Sequence, residues 1–254
     1  MATITLPKAK MESIFNLALL SSGSKSLHDK AELFVKDDKL YINDSQIVHV
    51  LSYAEFERGY GFTELDVESP IVITATILEA LKNFDCSVVT LLVKGNGKTK
   101  ITGGKWSYEE NSQVPSNGQF EFSVEEHEHG GLVPDNVKNA ITGFFKTEKD
   151  ELSKLPQVPS YKFVMKQENN LQPKVLVEME QLGVMTAELD CSQASGKDIV
   201  ASLFGAEFQH ILSNLEEGEI TINVSDDFVL FSQEVNGKKV MFGQAMQIKG
   251  SIQV

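Results

Sequence analysis

The densest cluster of chemistry-bearing side chains is the run Glu125-Glu126-His127-Glu128-His129. Imidazoles and carboxylates both ligate metals, and on a strand His127 and His129 would share a face. A metal-dependent enzyme centred on His127 and His129 is the reaction class that such a pair could support. A metal site asks for three or four ligands on rigid elements, however, and this run is polar and ends in Gly130-Gly131, so a solvated loop is the plainer reading. The second chemical group is the lysines. Arg58 is the only arginine among 23 basic residues. Bidentate arginine readout of bases is therefore almost excluded, and any contact with nucleic acid must come from lysine on phosphate, without sequence choice. The lysines that fall on segments of helical spacing are Lys8 and Lys10, Lys82, then Lys138, Lys146 and Lys149, and finally Lys197. Solvated helix faces also carry lysine, and Glu12, Glu79 and Glu207 on the same segments dilute the positive field.

Other catalytic patterns are missing from the text of the chain. There is no GxxxxGK[ST], GxSxG or HExxH, and "GNGKTKITGG" reads as a hairpin rather than a phosphate loop. Asp37-Asp38 and Asp226-Asp227 sit at turn positions, where aspartate is favoured for backbone reasons. The expectation is a protein that is not an enzyme and needs no cofactor or metal. The 254 residues carry a formal charge of −13 and 41% hydrophobic content, enough for one large domain or two ordinary ones. Two cysteines, Cys86 and Cys191, form neither a disulfide framework nor a CxxC metal pair, which suits a reducing compartment. The opening "MATITLPKAK" has no secretory run, and no stretch approaches the ~20 apolar residues of a membrane span. An intracellular protein without a membrane partner is expected.

The elements that would position these residues come in a repeated order. "ATITL" reads as a strand. Pro7 then opens a helix with Met11, Ile14, Phe15, Ala18 and Leu19 on one stripe. "AELFVKDDKLYI" reads as a hairpin, and a further strand is expected from Gln46 to about Tyr53. "PIVITATILEALKNF" gives a strand and a second helix, followed by two strands joined at Gly95-Asn96-Gly97 and another at "KWSYEE". In the second half, "LVPDNVKNAITGFFKTE" repeats the opening at one offset, with Ile14, Leu17 and Ala18 falling on Ile141, Phe144 and Phe145, and predicts a third helix. Three strands follow, then "GKDIVASLFGAEFQHILSNL" as the fourth helix, then three more strands turning at Ser225-Asp226-Asp227 and Asn236-Gly237. The stretch from Ala75 to Val93 laid ungapped on Ala206 to Val224, 131 residues later, shares five identities and matches apolar residues at Ile77/Phe208, Phe84/Leu215 and Val89/Ile220. The chain reads as two copies of one α+β domain, residues 1–117 and 118–254, with the polar "NSQVPSNGQ" between them.

This order resembles that of the DNA sliding clamps, the family of ring-shaped processivity factors that includes proliferating cell nuclear antigen and the phage clamps. The resemblance rests on "HILSNL" leading into "GEITINVSDDFVLFSQEVNGKKVMFGQAMQ", and on "AELFVKDDKLYINDSQIVHVLSYAEF" as the early strands of a first domain. It implies two duplicated clamp domains, each with two helices packed on antiparallel sheets, and an interdomain connector at about 109–131. It implies a homotrimer of six domains that encircles duplex DNA without sequence preference, tethers the replicative DNA polymerase and is opened by a clamp loader. Lysines on the helices (Lys8, Lys10, Lys82, Lys138, Lys146, Lys149 and Lys197) would face DNA. Ile42, Ile47, Val48 and Ile248 would border a groove for partner peptides. "KWSYEEN" and "EQLGVMTAEL" are the places to look for the edge strands that close a ring. The near absence of arginine and the distance from cellular clamps point to a phage or other virus, and so to the cytoplasm of a bacterial host. A clamp-fold protein that binds only proteins is the remaining reading.

Overall fold

The computed structural model describes residues 2–22, 25–47, 50–95, 97–115, 123–166, 173–180, 183–196, 199–225 and 227–246, with the backbone alone at 22, 25, 43–47 and 50. The chain separates into two compact units. One comprises Met1–Ser45, Ser52–Glu121 and Glu234–Lys239; the other comprises Gln46–Leu51, Phe122–Gln233 and Val240–Val254.

The first unit runs β1 (Ala2–Pro7), α1 (Lys8–Ala18), a short ribbon of β2 (Ser21–Ser22) and β3 (Lys25–Ser26), then β4 (Lys30–Lys36), β5 (Lys39–Ile47) and β6 (Val50–Phe56). It continues with β7 (Glu64–Val67), β8 (Ile71–Thr74), α2 (Ala75–Lys82), β9 (Val88–Lys94), β10 (Lys98–Gly103) and β11 (Trp106–Asn111). Strands β11-β10-β9-β1-β7 form one antiparallel sheet, and β6-β5-β4-β8 follow one another in a second. The β4–β5 turn places Asp37 and Asp38 at φ 51° and 61°, the left-handed pair that a tight hairpin needs and that aspartate tolerates. Helix α1 buries Met11, Ile14, Phe15, Leu17 and Ala18, and α2 buries Ile77, Leu78 and Leu81. Thr74 caps α2, its hydroxyl accepting from the Ile77 N–H at 3.2 Å.

The second unit opens with a hairpin, β12 (Val124–Glu126) and β13 (Leu132–Pro134). Then come β14 (Ile141–Glu148), α3 (Lys149–Ser153), β15 (Ser160–Lys166), β16 (Lys174–Glu180), β17 (Val184–Leu189), β18 (Cys191–Ser195) and β19 (Ile199–Phe204). The unit ends with α4 (Gly205–Asn214), β20 (Glu219–Ser225), β21 (Phe228–Val235) and β22 (Lys238–Ala245). Strands β18-β14-β20-β21-β22 are consecutive neighbours, and β17-β16-β15-β19 form another sheet. Phe145, Phe163, Phe208 and Phe231 meet in the core with ring centroids 5.6 to 5.9 Å apart. Each such fully buried side chain contributes about 1.5–3 kcal/mol relative to exposure.

The two units repeat each other strand by strand, in the same register. β1 meets β9 through Ile4↔Leu91, Thr5↔Thr90, Leu6↔Val89 and Pro7↔Val88. β14 meets β20 through Phe145↔Ile222, Lys146↔Thr221, Thr147↔Ile220 and Glu148↔Glu219. β4 meets β8 through Lys30↔Thr74 and Ala31↔Ile73, and β15 meets β19 through Ser160↔Phe204 and Tyr161↔Leu203. The Ala75 N–H reaches the Asp29 carbonyl at 3.0 Å, and the Gly205 N–H reaches Pro159 at 2.8 Å. The spacing is thus 130 at the entry to α2 and α4, where Ala75 corresponds to Gly205, and 131 from their C-terminal ends through β9 and β20, where Leu81 corresponds to Leu212 and Leu91 to Ile222, so the ungapped sequence match holds in three dimensions only from the helix ends onward.

The opening match at Val133-Pro134 does not. Pro7 and Lys8 correspond to Glu148 and Lys149, and the predicted third helix is instead a 3-10 turn at Lys138–Ala140 followed by strand β14. The misreading has a physical cause. Phe145 and Thr147 point into the core while Phe144 on the opposite face is also buried, so a strand covered on both sides imitates helical spacing. Gly143 lets β14 close on its neighbours: a Cβ there would meet the Ser195 carbonyl oxygen at 2.6 Å. The fourth helix likewise begins only at Gly205, because Ile199–Phe204 pairs with β15. The strand expected from Gln46 is Val50–Phe56, Gln46 and Ile47 belonging to β5. The boundary near Asn117 lies outside the described residues. Among the described residues no helix is long and apolar enough to cross a membrane.

Candidate nucleic-acid interface

In each unit the two helices lie side by side, α1 against α2 and α3 against α4. Lys8 is the first residue of α1 and Lys149 the first of α3, the same place in the duplicated frame. Their backbone N–H groups make matching bonds of 2.9 Å, to Ser87 just before β9 and to Gly218 just before β20. The Lys8 ammonium also donates to the Lys82 carbonyl oxygen at 3.3 Å, linking the start of α1 to the end of α2.

Carboxylates accompany these lysines closely. Lys8 pairs with Glu12 at 3.3 Å, Lys82 with Glu79 at 3.0 Å and Lys149 with Glu217 at 3.0 Å. Lys154, just past α3, pairs with Glu151. The sequence reading missed this lysine, whose only signal is its place one residue beyond "KDELS". The Lys149 ammonium holds the Glu217 carboxyl below its usual range, while a hydrogen bond from Asp150 to Glu217 pushes the Asp150 carboxyl up. The four helices together carry no net positive charge. A phosphate reaching them must displace carboxylates, which at exposed sites costs about 0–1 kcal/mol per pair.

The other lysines singled out from sequence have different surroundings. Lys10 donates to the Tyr60 carbonyl oxygen, and its ammonium lies 4.8 Å from the centre of the Tyr60 ring. Lys138 is on the 3-10 turn, paired with Glu125 of the β12–β13 hairpin. Lys146 is on β14 beside Thr221, with its Nζ 3.3 Å from where a Gly130 Cβ would stand. Strand alternation puts it on the face opposite Phe145 and the core. Lys197 lies outside the described residues.

That opposite face of β14 and β20 carries the hairpin tip. The His129 ring stacks on Phe144 at 4.5 Å and 13°, and the Asn223 side-chain amide donates to the Gly130 carbonyl oxygen at 3.1 Å. Gly131, at φ 78°, packs so closely on Ser232 that a side chain has no room. The His127 and His129 rings stand 4.9 Å apart, but the described residues contain no group of three or more His, Cys, Asp or Glu arranged to hold a metal ion. Cys86 and Cys191 are unbridged, and burial pushes the Cys191 thiol up to about 12.

Two edges and one groove complete the inventory. Among the described residues β11 and β17 each pair on one side only, the two strands read from sequence as candidate edges. β17 exposes Val184 and Met185, and β11 begins with Trp106, 37% exposed and stacked on Phe84 at 6.1 Å. Of the groove residues, Ile42 is fully buried in β5, its Cα opposite Leu33. Ile47 is described by its backbone alone, and Val48 and Ile248 lie outside the described residues.

The doubled unit, with two helices against antiparallel strands repeated in register, is matched by solved structures along the whole chain. A. fulgidus PCNA, in a structure described as the C-terminal region of FEN-1 bound to it, aligns at a TM-score of 0.73 and 12% identity, covering 99% of this chain and 100% of that one. The chain has the sliding-clamp fold. Thermococcus kodakaraensis PCNA matches this clamp fold at 0.69 and 16% identity, covering 97% and 100%. The H. pylori beta clamp aligns at 0.68 and 15% identity, with 99% of this chain spanning 64% of that longer one. No protein-family model and no curated protein sequence matches.

Proposed function

We propose that this protein is a DNA sliding clamp: a homotrimeric ring that encircles duplex DNA and tethers the replicative polymerase, with no reaction of its own. The observation that carries the reading is the duplicated unit, whose two copies align end to end with a PCNA chain. Three copies supply six units. The edge strands β11 and β17 join neighbouring copies, satisfying backbone groups that would otherwise stay unpaired. Lys8, Lys82, Lys149 and Lys154 face the phosphates, and their carboxylate partners keep the grip light enough for sliding. Lys10, Lys138 and Lys146 are left out of this set because each has another place in the fold. DNA polymerase and a clamp loader are the partners, engaged through short apolar peptides.

The first test is native mass by light scattering. Three times the 28.1 kDa chain is expected, with a change in Trp106 fluorescence on dilution to monomer. A monomer at all concentrations that also fails to raise polymerase processivity in the presence of a loader would remove the ring. The helix charge, four lysines against five carboxylates, favours one second reading, a clamp-fold scaffold that binds proteins alone. A trimer that does not retain DNA would select it.

A further inference from the structure

We infer that His127 and His129 form a proton-sensitive latch that holds the β12–β13 hairpin against the sheet face carrying Phe144 and Asn223. β13 is anchored by Val133, which is fully buried, while the tip rests on the Asn223 amide bonded to the Gly130 carbonyl oxygen, on Gly131 against Ser232, and on the His129 ring flat on Phe144. The tip is closed by two backbone bonds, from the His127 N–H to the Gly131 carbonyl at 2.9 Å and from the Gly130 N–H to the His127 carbonyl at 2.8 Å. His127 is only 8% exposed, and its Nδ1 accepts from the His129 backbone N–H at 3.3 Å. An imidazole that accepts at Nδ1 is neutral and carries its proton on Nε2. The same two rings border a cavity of about 700 Å³ with Lys138, Asn139 and Ile141.

Protonating His127 would remove the acceptor, bury a charge and set it beside a second imidazole. The charged and titratable groups around it are mixed. Glu125 is on the hairpin but neutralised by Lys138 from the 3-10 turn. Glu126 lines the cavity, the Glu128 carboxylate is 3.5 Å from His129 Nε2, and the Lys146 ammonium on β14 approaches Gly130. Burial first, then His129, holds the His127 pKa below its ordinary value. A group depressed in the folded state contributes its full stability above the free value of about 6.5, and that contribution is lost as pH falls below it toward the folded value. The latch is therefore shut at neutral pH and weakens under mild acid.

The test is amide hydrogen exchange on the intact protein from pH 7.5 to 5.5, read as protection factors corrected for intrinsic rates. Protection of the amides from Val124 to Val133 should fall with acid, by at most tenfold per pH unit for one proton. β9 and β10 of the other unit should not change. His127→Asn supplies an acceptor oxygen near Nδ1 but no titration, and should make hairpin protection independent of pH. Flat protection in the wild type, or an undiminished fall in His127→Asn, overturns the proposal. If that variant does not fold, NMR titration of the wild type decides: a His127 that titrates at or above the free-histidine value also overturns it. Neither readout needs DNA or a ring, so failure here is separate from failure of the clamp reading.

Discussion

Lys8 and Lys149 hold equivalent places in the two units, and this gives the sharpest expectation about DNA. Each is the first residue of its helix, each has its N–H fixed at 2.9 Å to the residue before the following strand, and each ammonium rests on an exposed or half-buried carboxylate. In a trimer, Lys8→Ala removes three positive charges, and so does Lys149→Ala. Each phosphate contact contributes about 0.9 to the slope of log affinity against log salt, so either substitution lowers that slope by up to about 2.7. Over a fourfold rise in salt this is roughly a fortyfold difference in how steeply affinity falls. The displaced Glu12 and Glu217 repel phosphate, so the measured change lies below this bound. Fluorescence anisotropy on linear duplex across a salt series reads it directly; both lysine side chains are largely covered and Lys8 also bonds the Lys82 carbonyl oxygen, so a loss of about 0.5–1.5 kcal/mol of fold stability is expected beside it. The two variants should agree with each other. A slope unchanged in both would remove these helix starts from the DNA interface. A change in one alone would refute the argument from equivalence.

Two further outcomes follow from packing and pairing. A Cβ on Gly205 would overlap the Val158 carbonyl oxygen and stand 3.0 Å from Pro159 backbone atoms. Gly205→Ala should therefore cost about 1–3 kcal/mol despite alanine's better helix propensity, seen as a lower thermal midpoint by calorimetry; a midpoint at or above wild type would show that the α4 entry can shift. Val184→Lys, on the exposed side of β17 with Thr186 and Glu188, should leave the monomer fold intact by circular dichroism but shift the native mass toward the monomer. An unaltered mass would take β17 out of the subunit contact.

Much of this fold was legible because turn chemistry and short-range spacing are local. Asp37-Asp38 and Asn236-Gly237 adopt the left-handed pairs their residue types invite, with φ of 51° and 61°, and 52° and 75°. The helices α1 and α2 show their stripes in the sequence and bury them. Helix α3 was not legible, since five residues are too few to display a period. Strands β7 ("ELDV") and β18 ("CSQAS") were not legible either. Their residues alternate weakly, and what makes them strands is the open edges of β1 and β14 beside them. The lysines at the helix starts could be read, but not the company they keep. Lys149 and Glu217 are 68 residues apart in the chain and meet only because β14 and β20 are neighbours.

What the duplication retains is backbone register and apolar volume more than residue identity. Ile4 stands where Phe145 does, Leu6 where Thr147 does, Met11 where Leu152 does and Leu91 where Ile222 does. Cores tolerate such exchanges when total volume and patterning are kept, so two copies can share every strand pairing and still look unrelated letter by letter. Against that background the lysine that opens both α1 and α3 stands apart. It is not a core position, and a cation at a helix N-terminus opposes the helix dipole by about 0.3–1 kcal/mol. Glu12 and Glu217 offset the penalty after the fact but do not explain why lysine is there in both units. At this first-turn position an acidic side chain would serve helix stability better. Lys8 has one role within the fold, since its ammonium ties the start of α1 to the Lys82 carbonyl oxygen at the end of α2; if the proposed ring forms, a phosphate backbone is an anion that both helix starts would meet, and the salt slopes of the two variants decide between these roles.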